Sequence, residues 1–144
     1  MLPRTDGGRL LVVDDEPMML ELLTTRLTLA GYTVLRARDG GEAIASATHE
    51  RLNGMLLDIN MPGLDGFGVL EALRRHGVLK TLPVMVLTAR NQGEDVRRAI
   101  SLGARDFLTK PFKDQQLLTR VARLTAPPRP VPKPPEDPNN TVRI

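Results

Sequence analysis

The chain is predicted to be an α/β protein, with five parallel strands in one sheet and helices on both faces. Three observations predict this. Short, nearly all-apolar runs bounded by turn residues recur five times, the pattern of buried parallel strands. A segment of helical period follows each run. The runs also tend to end in charged or hydroxyl residues, which a parallel sheet gathers at one edge. At 144 residues the chain accommodates one domain with at most a short appendage.

Residues 1–9 read as a flexible lead-in, polar and containing Gly7 and Gly8. Leu10 to Val13 is the first strand, closed by Asp14, Asp15 and Glu16. Pro17 suits the first turn of a helix. Leu20, Leu23, Leu27 and Ala30 recur at helical spacing, and Gly31 supplies the stop. Val34 to Ala37 is the second strand. Asp39 can cap a helix running through Glu42 to about Glu50, with Ala43, Ile44 and Ala47 as its apolar face. After the Asn53-Gly54 turn, Met55-Leu56-Leu57 runs straight into Asp58, and the loop Ile59-Asn60-Met61-Pro62-Gly63 follows. Phe67, Leu70 and Leu73, flanked by Val69 and Ala72, mark a third helix ending near Gly77. Pro83 precedes the fourth strand, Val84 to Leu87, which stops at Thr88-Ala89. Glu94 to Leu102 is helical, with Val96, Ala99 and Ile100 inward and Gly103 as its stop. Asp106 to Thr109 is the fifth strand, ending at Lys110-Pro111. Asp114 to Leu124 is the last helix, apolar at Leu117, Leu118, Val121 and Leu124. The domain is thus expected over residues 10–125. Beyond it, in 126–144, composition shifts abruptly: seven of the twelve prolines fall between Pro127 and Pro138, an extended tail or linker.

Composition narrows the function classes. No cysteine is present, which removes disulfides, thiolate metal sites and thiol nucleophiles. No apolar run approaches membrane-spanning length, and the N-terminus has no hydrophobic signal core. A cytosolic setting, without membrane contact, fits. Net charge is +3, but Arg129, Lys133 and Arg143 lie in the proline-rich tail, and the other bases are interspersed with acids. That is a solvated surface rather than a nucleic-acid footprint, so direct nucleic-acid contact is not expected.

The strand ends carry the chemistry. Asp14 and Asp15 follow the first strand, Asp58 closes the third, Thr88 the fourth, and Lys110 follows the fifth. Singly, each has an ordinary explanation: the acids favour a helix N-terminus, Thr88 ends a strand, Lys110 reaches out from an edge. Jointly they converge on one rim. Three carboxylates crowded there raise one another's pKa unless a cation joins them. Hard oxygen ligands with an open face suit Mg²⁺. A lysine and a threonine hydroxyl supply partners for phosphate oxygens. The set amounts to a phosphoryl-acceptor site.

The stretches Val12-Val13-Asp14-Asp15-Glu16, Asp58-Ile59-Asn60-Met61-Pro62-Gly63-Leu64-Asp65-Gly66, Leu87-Thr88-Ala89, Gly103-Ala104 and Lys110-Pro111-Phe112 closely resemble the receiver domain of bacterial two-component response regulators. The resemblance covers about Leu10 to Leu124. It implies a flavodoxin-like doubly wound sheet of strand order 2-1-3-4-5. It implies that a partner histidine kinase or histidine phosphotransfer protein phosphorylates Asp58. Asp15, Asp58 and the Asn60 carbonyl would bind Mg²⁺ directly, with Asp14 acting through water. Lys110 would pair with the phosphoryl group, Thr88 would move to hydrogen-bond it, and Phe107 would swing inward behind Thr88. The Lys110-Pro111 bond would be cis. The face built from the fourth helix, fifth strand and fifth helix would be the switch that a downstream partner or output domain reads. The Asn60 and Arg90 side chains would flank the path of attacking water and tune phosphoryl lifetime. A departure stands on the switch face. Arg105 occupies a position where an acid is common in regulators that dimerise there, and Gln115 and Gln116 lack the expected base, which weakens the case for such a dimer.

Two readings of the whole follow. One is a phosphorylation-controlled interaction module, freestanding or shuttling phosphoryl groups. The other is the receiver fragment of a larger regulator whose output domain, of a DNA-binding kind for example, is missing, and for which Thr141-Val142-Arg143-Ile144 could begin another strand. A phosphatase with an aspartyl-phosphate intermediate belongs to a different class and fits poorly. Haloacid-dehalogenase-type enzymes want an acid two residues after the nucleophile, where Asn60 stands, and a substrate-capping insertion for which no loop is long enough. The expectation is a phosphoacceptor signalling domain, not an enzyme that turns over a substrate.

Overall fold

The computed structural model describes residues 7–89 and 93–127. Its elements alternate throughout: β1 (Arg9–Val13), α1 (Pro17–Leu29), β2 (Thr33–Ala37), α2 (Gly40–His49), β3 (Gly54–Asp58), α3 (Gly66–Arg75), β4 (Val84–Thr88), α4 (Gly93–Ser101), β5 (Asp106–Thr109) and α5 (Asp114–Thr125). A 3₁₀ turn at Val78–Lys80, absent from the sequence reading, joins α3 to β4. The five strands form one parallel sheet in the order β2-β1-β3-β4-β5.

The strand residues divide by parity, because successive side chains point to opposite faces. Leu11, Val13, Met55, Leu57, Val84 and Val86 join α2, α3 and Ala99 of α4 in one core. Leu10, Val12, Leu56, Met85, Leu87 and Leu108 join α1 and α5 in the other. β3 and β4 are buried at every position, which accounts for their unbroken apolar runs.

Helix ends follow local chemistry. The Asp39 side chain accepts a hydrogen bond from the Glu42 N–H at 2.8 Å, capping α2, while Glu42 Oε1 accepts from the Arg38 N–H at 3.0 Å. Asp65 caps α3 by accepting from the Gly68 N–H at 3.0 Å.

Three expectations need correction. Ile100 was expected inward and is 45% exposed. Only Ala99 of α4 is buried, and Arg98 lies over the Phe67 ring of α3, which rolls Ile100 outward. Ala30 is also exposed, because it is the C-cap of α1 and lies beyond the last turn that touches the sheet. Residues 7–9 of the expected flexible lead-in are tied down. The Gly7 N–H donates to the Gly31 carbonyl at 2.9 Å, the Gly8 carbonyl accepts from the Thr33 N–H, and Arg9 opens β1. Asn53 fastens Arg9 from both sides: its Oδ1 accepts from the Arg9 N–H at 2.8 Å, and its own N–H donates to the Arg9 carbonyl at 2.7 Å. Residues 1–6, Arg90 and the tail from residue 128 lie outside the described residues, and the expectations placed on them with it.

Candidate functional site

Strand register places the polar residues side by side. Val13 is paired with Leu57, so Asp14 and Asp58, each the next residue, meet across adjacent strand ends. Asp58 is paired with Leu87, and Thr88 with Thr109, so Thr88 and Lys110 follow on the same rim. The Lys110 N–H donates to the Thr88 carbonyl at 2.7 Å, locking the last step of the register.

Asp14, Asp15 and Asp58 each offer a carboxylate oxygen, and these oxygens lie within 4.8 Å of one another. Asp14 and Asp58 are buried, whereas Asp15 is open to solvent. The Lys110 ammonium donates to Asp14 Oδ2 at 2.8 Å and stands 3.5 Å from Asp58 Oδ1. Asp14 Oδ1 accepts from the Glu16 N–H at 2.9 Å, so one carboxylate both braces the turn that leads into α1 and holds the lysine. Asp58 Oδ1 accepts from the Asn60 N–H at 3.2 Å. Thr88 is wholly buried at the end of β4. The Lys110-Pro111 bond is cis.

Electrostatics leave Asp58 the odd carboxylate. Burial pushes its carboxyl up to about 6; Lys110 opposes the rise, and the Asp14 and Asp15 charges add to it. Burial also disfavours the Lys110 ammonium, but its hydrogen bond to Asp14 and the Asp58 charge outweigh this, and it is held above the usual lysine range. With three carboxylates against one ammonium, the pocket retains excess negative charge. Clustered carboxylate oxygens, one side open to water, are the donor set that a hard divalent cation such as Mg²⁺ takes, so the residues present fit that ion.

Phe107 lies apart from this cluster. It is half-buried in β5 and packs on the core shared with α4. Arg120 of α5 sits 5.6 Å from its ring centroid and donates to the Phe107 carbonyl at 2.9 Å and to Asp106 Oδ1 at 2.8 Å. The sequence reading missed this clamp. It also missed the part Gly66 plays. A Cβ there would stand 2.7 Å from the Ile59 Cα and 2.8 Å from the Asp58 carbonyl oxygen, so only glycine lets α3 start against the loop that follows Asp58. The Gly66 N–H donates to the Ile59 carbonyl at 3.0 Å. The signal was available as Asp65-Gly66, a cap followed by a residue with no side chain.

Comparisons with known proteins agree with this architecture. Residues 10–122 match the family described as Response regulator receiver domain. The transcriptional regulatory protein TcrA of Mycobacterium tuberculosis is 42% identical over 92% of this chain and 51% of its own length. The chain thus spans about half the length of that curated relative. The chemotaxis protein CheY4 of Vibrio cholerae superposes with a TM-score of 0.77 at 33% identity, over 81% of this chain and 98% of that one. The receiver domain of a sensor histidine kinase from Pseudomonas aeruginosa, whose structure has a magnesium ion coordinated in its active-site cleft, superposes with a TM-score of 0.75 at 30% identity, over 83% and 98%. With the strand order, the rim of acids and these matches in agreement, the chain belongs to the response regulator receiver domains of two-component signalling.

Proposed function

We propose that this receiver domain accepts a phosphoryl group on Asp58 from the phosphohistidine of a partner histidine kinase or histidine phosphotransfer protein. An Asp58 carboxylate oxygen forms the new bond to phosphorus. The donor's P–N bond breaks, and its electron pair returns to the imidazole ring. Lys110 moves its ammonium from the Asp58 oxygen to a phosphoryl oxygen, and the Thr88 hydroxyl donates to another. Asp15, Asp58 and the Asn60 carbonyl would hold Mg²⁺, with Asp14 acting through water, and the ion would supply positive charge to offset the carboxylate and phosphoryl oxygens. Phe107 follows Thr88 inward, and the α4–β5–α5 face changes for a downstream partner.

The observation that carries this reading is the convergence of Asp14, Asp15, Asp58 and Lys110 within side-chain reach at the strand ends. Incubation with Mg²⁺ and acetyl phosphate, followed by intact mass, tests it. The expected gain is roughly 80 Da per phosphoryl group, absent in Asp58→Asn. No gain, or an equal gain in Asp58→Asn, overturns the assignment.

The half-length match to a transcriptional regulator favours a second reading, in which this receiver section governs an attached output domain that binds DNA. Extending the reading frame beyond Ile144 at the genomic locus tests it: a stop codon there removes it.

A further inference from the structure

Among the described residues, the side-chain grip on α4 comes from α3. Arg98 sets its guanidinium 4.1 Å from the Phe67 ring centroid, facing α3. At about 100° per residue, Val96 and Ile100 lie on the opposite flank, which turns toward β5 at the end of the sheet, and Arg97 lies on the outward side opposite the buried Ala99. Ile100 is 45% exposed, Val96 is half-buried, and the half-buried Phe107 of β5 packs on the same core as Ala99 of α4. Across β5, the helix α5 and its N-cap Lys113 present Lys113, Gln116, Arg120 and Arg123 along one stripe at helical spacing. With Gln115 and Thr119 they line a shallow cavity of about 390 Å³.

The charges on this face do not balance. Arg120 is engaged by Asp106 at 2.8 Å. Asp114 is turned away to Arg26 of α1 at 2.9 Å. Glu94 and Asp95 sit in the first turn of α4, where they offset its dipole. Arg97, Arg105, Lys113 and Arg123 are exposed and form no ion pair among the described residues. The result is a small apolar patch on α4 and β5, with four uncompensated cations on α4, before β5 and along α5.

We propose that this face receives an acidic segment of a different protein, with an apolar side chain over Ile100 and carboxylates toward Arg97, Arg105, Lys113 and Arg123. The inference rests on the reading of α4–β5–α5 as the output surface and adds the chemistry of its occupant. A second copy of this chain fits poorly, because two-fold pairing sets the patch against itself and brings like charges together. A nucleic acid fits poorly as well, because a phosphate backbone leaves the apolar centre uncovered, whereas an apolar centre with a polar rim is the anatomy of a protein interface.

The test titrates the isotope-labelled full chain, with and without acetyl phosphate and Mg²⁺, against a short synthetic peptide that alternates Glu with Leu at helical spacing. Amide shifts confined to α4, β5 and α5 are expected. Affinity falls about tenfold or more in the double variant R105E/R123E, in added salt, and for the same peptide with Gln in place of Glu. The double variant still gains the phosphoryl mass, since neither residue belongs to the acceptor site. The proposal is overturned if no shift occurs, if the Gln peptide binds equally, if a DNA duplex binds these residues more tightly than the peptide, or if sedimentation shows the face closing on a second copy. A normal mass gain without peptide binding sinks this inference alone. Peptide binding at the face with no mass gain sinks the phosphoacceptor reading and leaves the surface standing.

Discussion

Removing Lys110 would leave Asp14 buried with no ammonium beside it. Breaking a buried pair from one side costs about 3 kcal/mol or more, because the remaining charge is stranded. Lys110→Met should therefore lower unfolding stability by that order in urea titration, besides slowing acyl-phosphate labelling of Asp58. Asp58 itself has the opposite character. Its carboxyl titrates near 6 when folded against 3.8 when free, so the folded state holds the proton more tightly. Stability from this group is full below about pH 3.8 and is lost as pH rises through about 6. In a chelator, the wild type should lose about 2 kcal/mol across that window relative to Asp58→Asn, as read by denaturant titration at stepped pH. At this scale the sequence was informative about Asp14, Asp15, Asp58, Thr88 and Lys110, because each ends an apolar run or follows it by a residue or two. It was silent on the Arg120 clamp. Asp106 and Arg120 are 14 positions apart on different elements, and no periodicity links a strand residue to a helix residue on the far side of a turn.

Helix starts are the elements most open to simple tests. Asp39→Ala removes the cap of α2 and should cost about 1 kcal/mol by thermal or chemical unfolding. Gly66→Ala should cost more than this and also impair labelling of Asp58, because its Cβ has to displace the Ile59 backbone. Strands and helices were legible because burial on both faces writes unbroken apolar runs into β3 and β4, with amphipathic helices between. Ile100 was misread for a reason specific to α4. Nine residues with one buried alanine leave the roll of the helix to be set by Arg98 on Phe67, a contact between side chains that sequence spacing does not encode. The Val78–Lys80 turn escaped for a similar reason: three residues are too short to show a period.

For the molecule as a whole, a cation held by Asp14, Asp15 and Asp58 would bind only the assembled sheet, so it would stabilise the fold by linkage. Mg²⁺ at a hundred times its Kd should add about 2.7 kcal/mol and raise Tm, while Asp15→Asn should leave Tm nearly flat as Mg²⁺ is added. The register that aligns β1, β3, β4 and β5 carries a further consequence. The reactive groups hang from four different strand tips, and no single helix or loop owns the pocket. A nascent, frayed or misfolded copy would therefore be chemically mute. Competence to be charged would then double as an inspection certificate, and only chains that had completed their architecture could enter the signalling traffic.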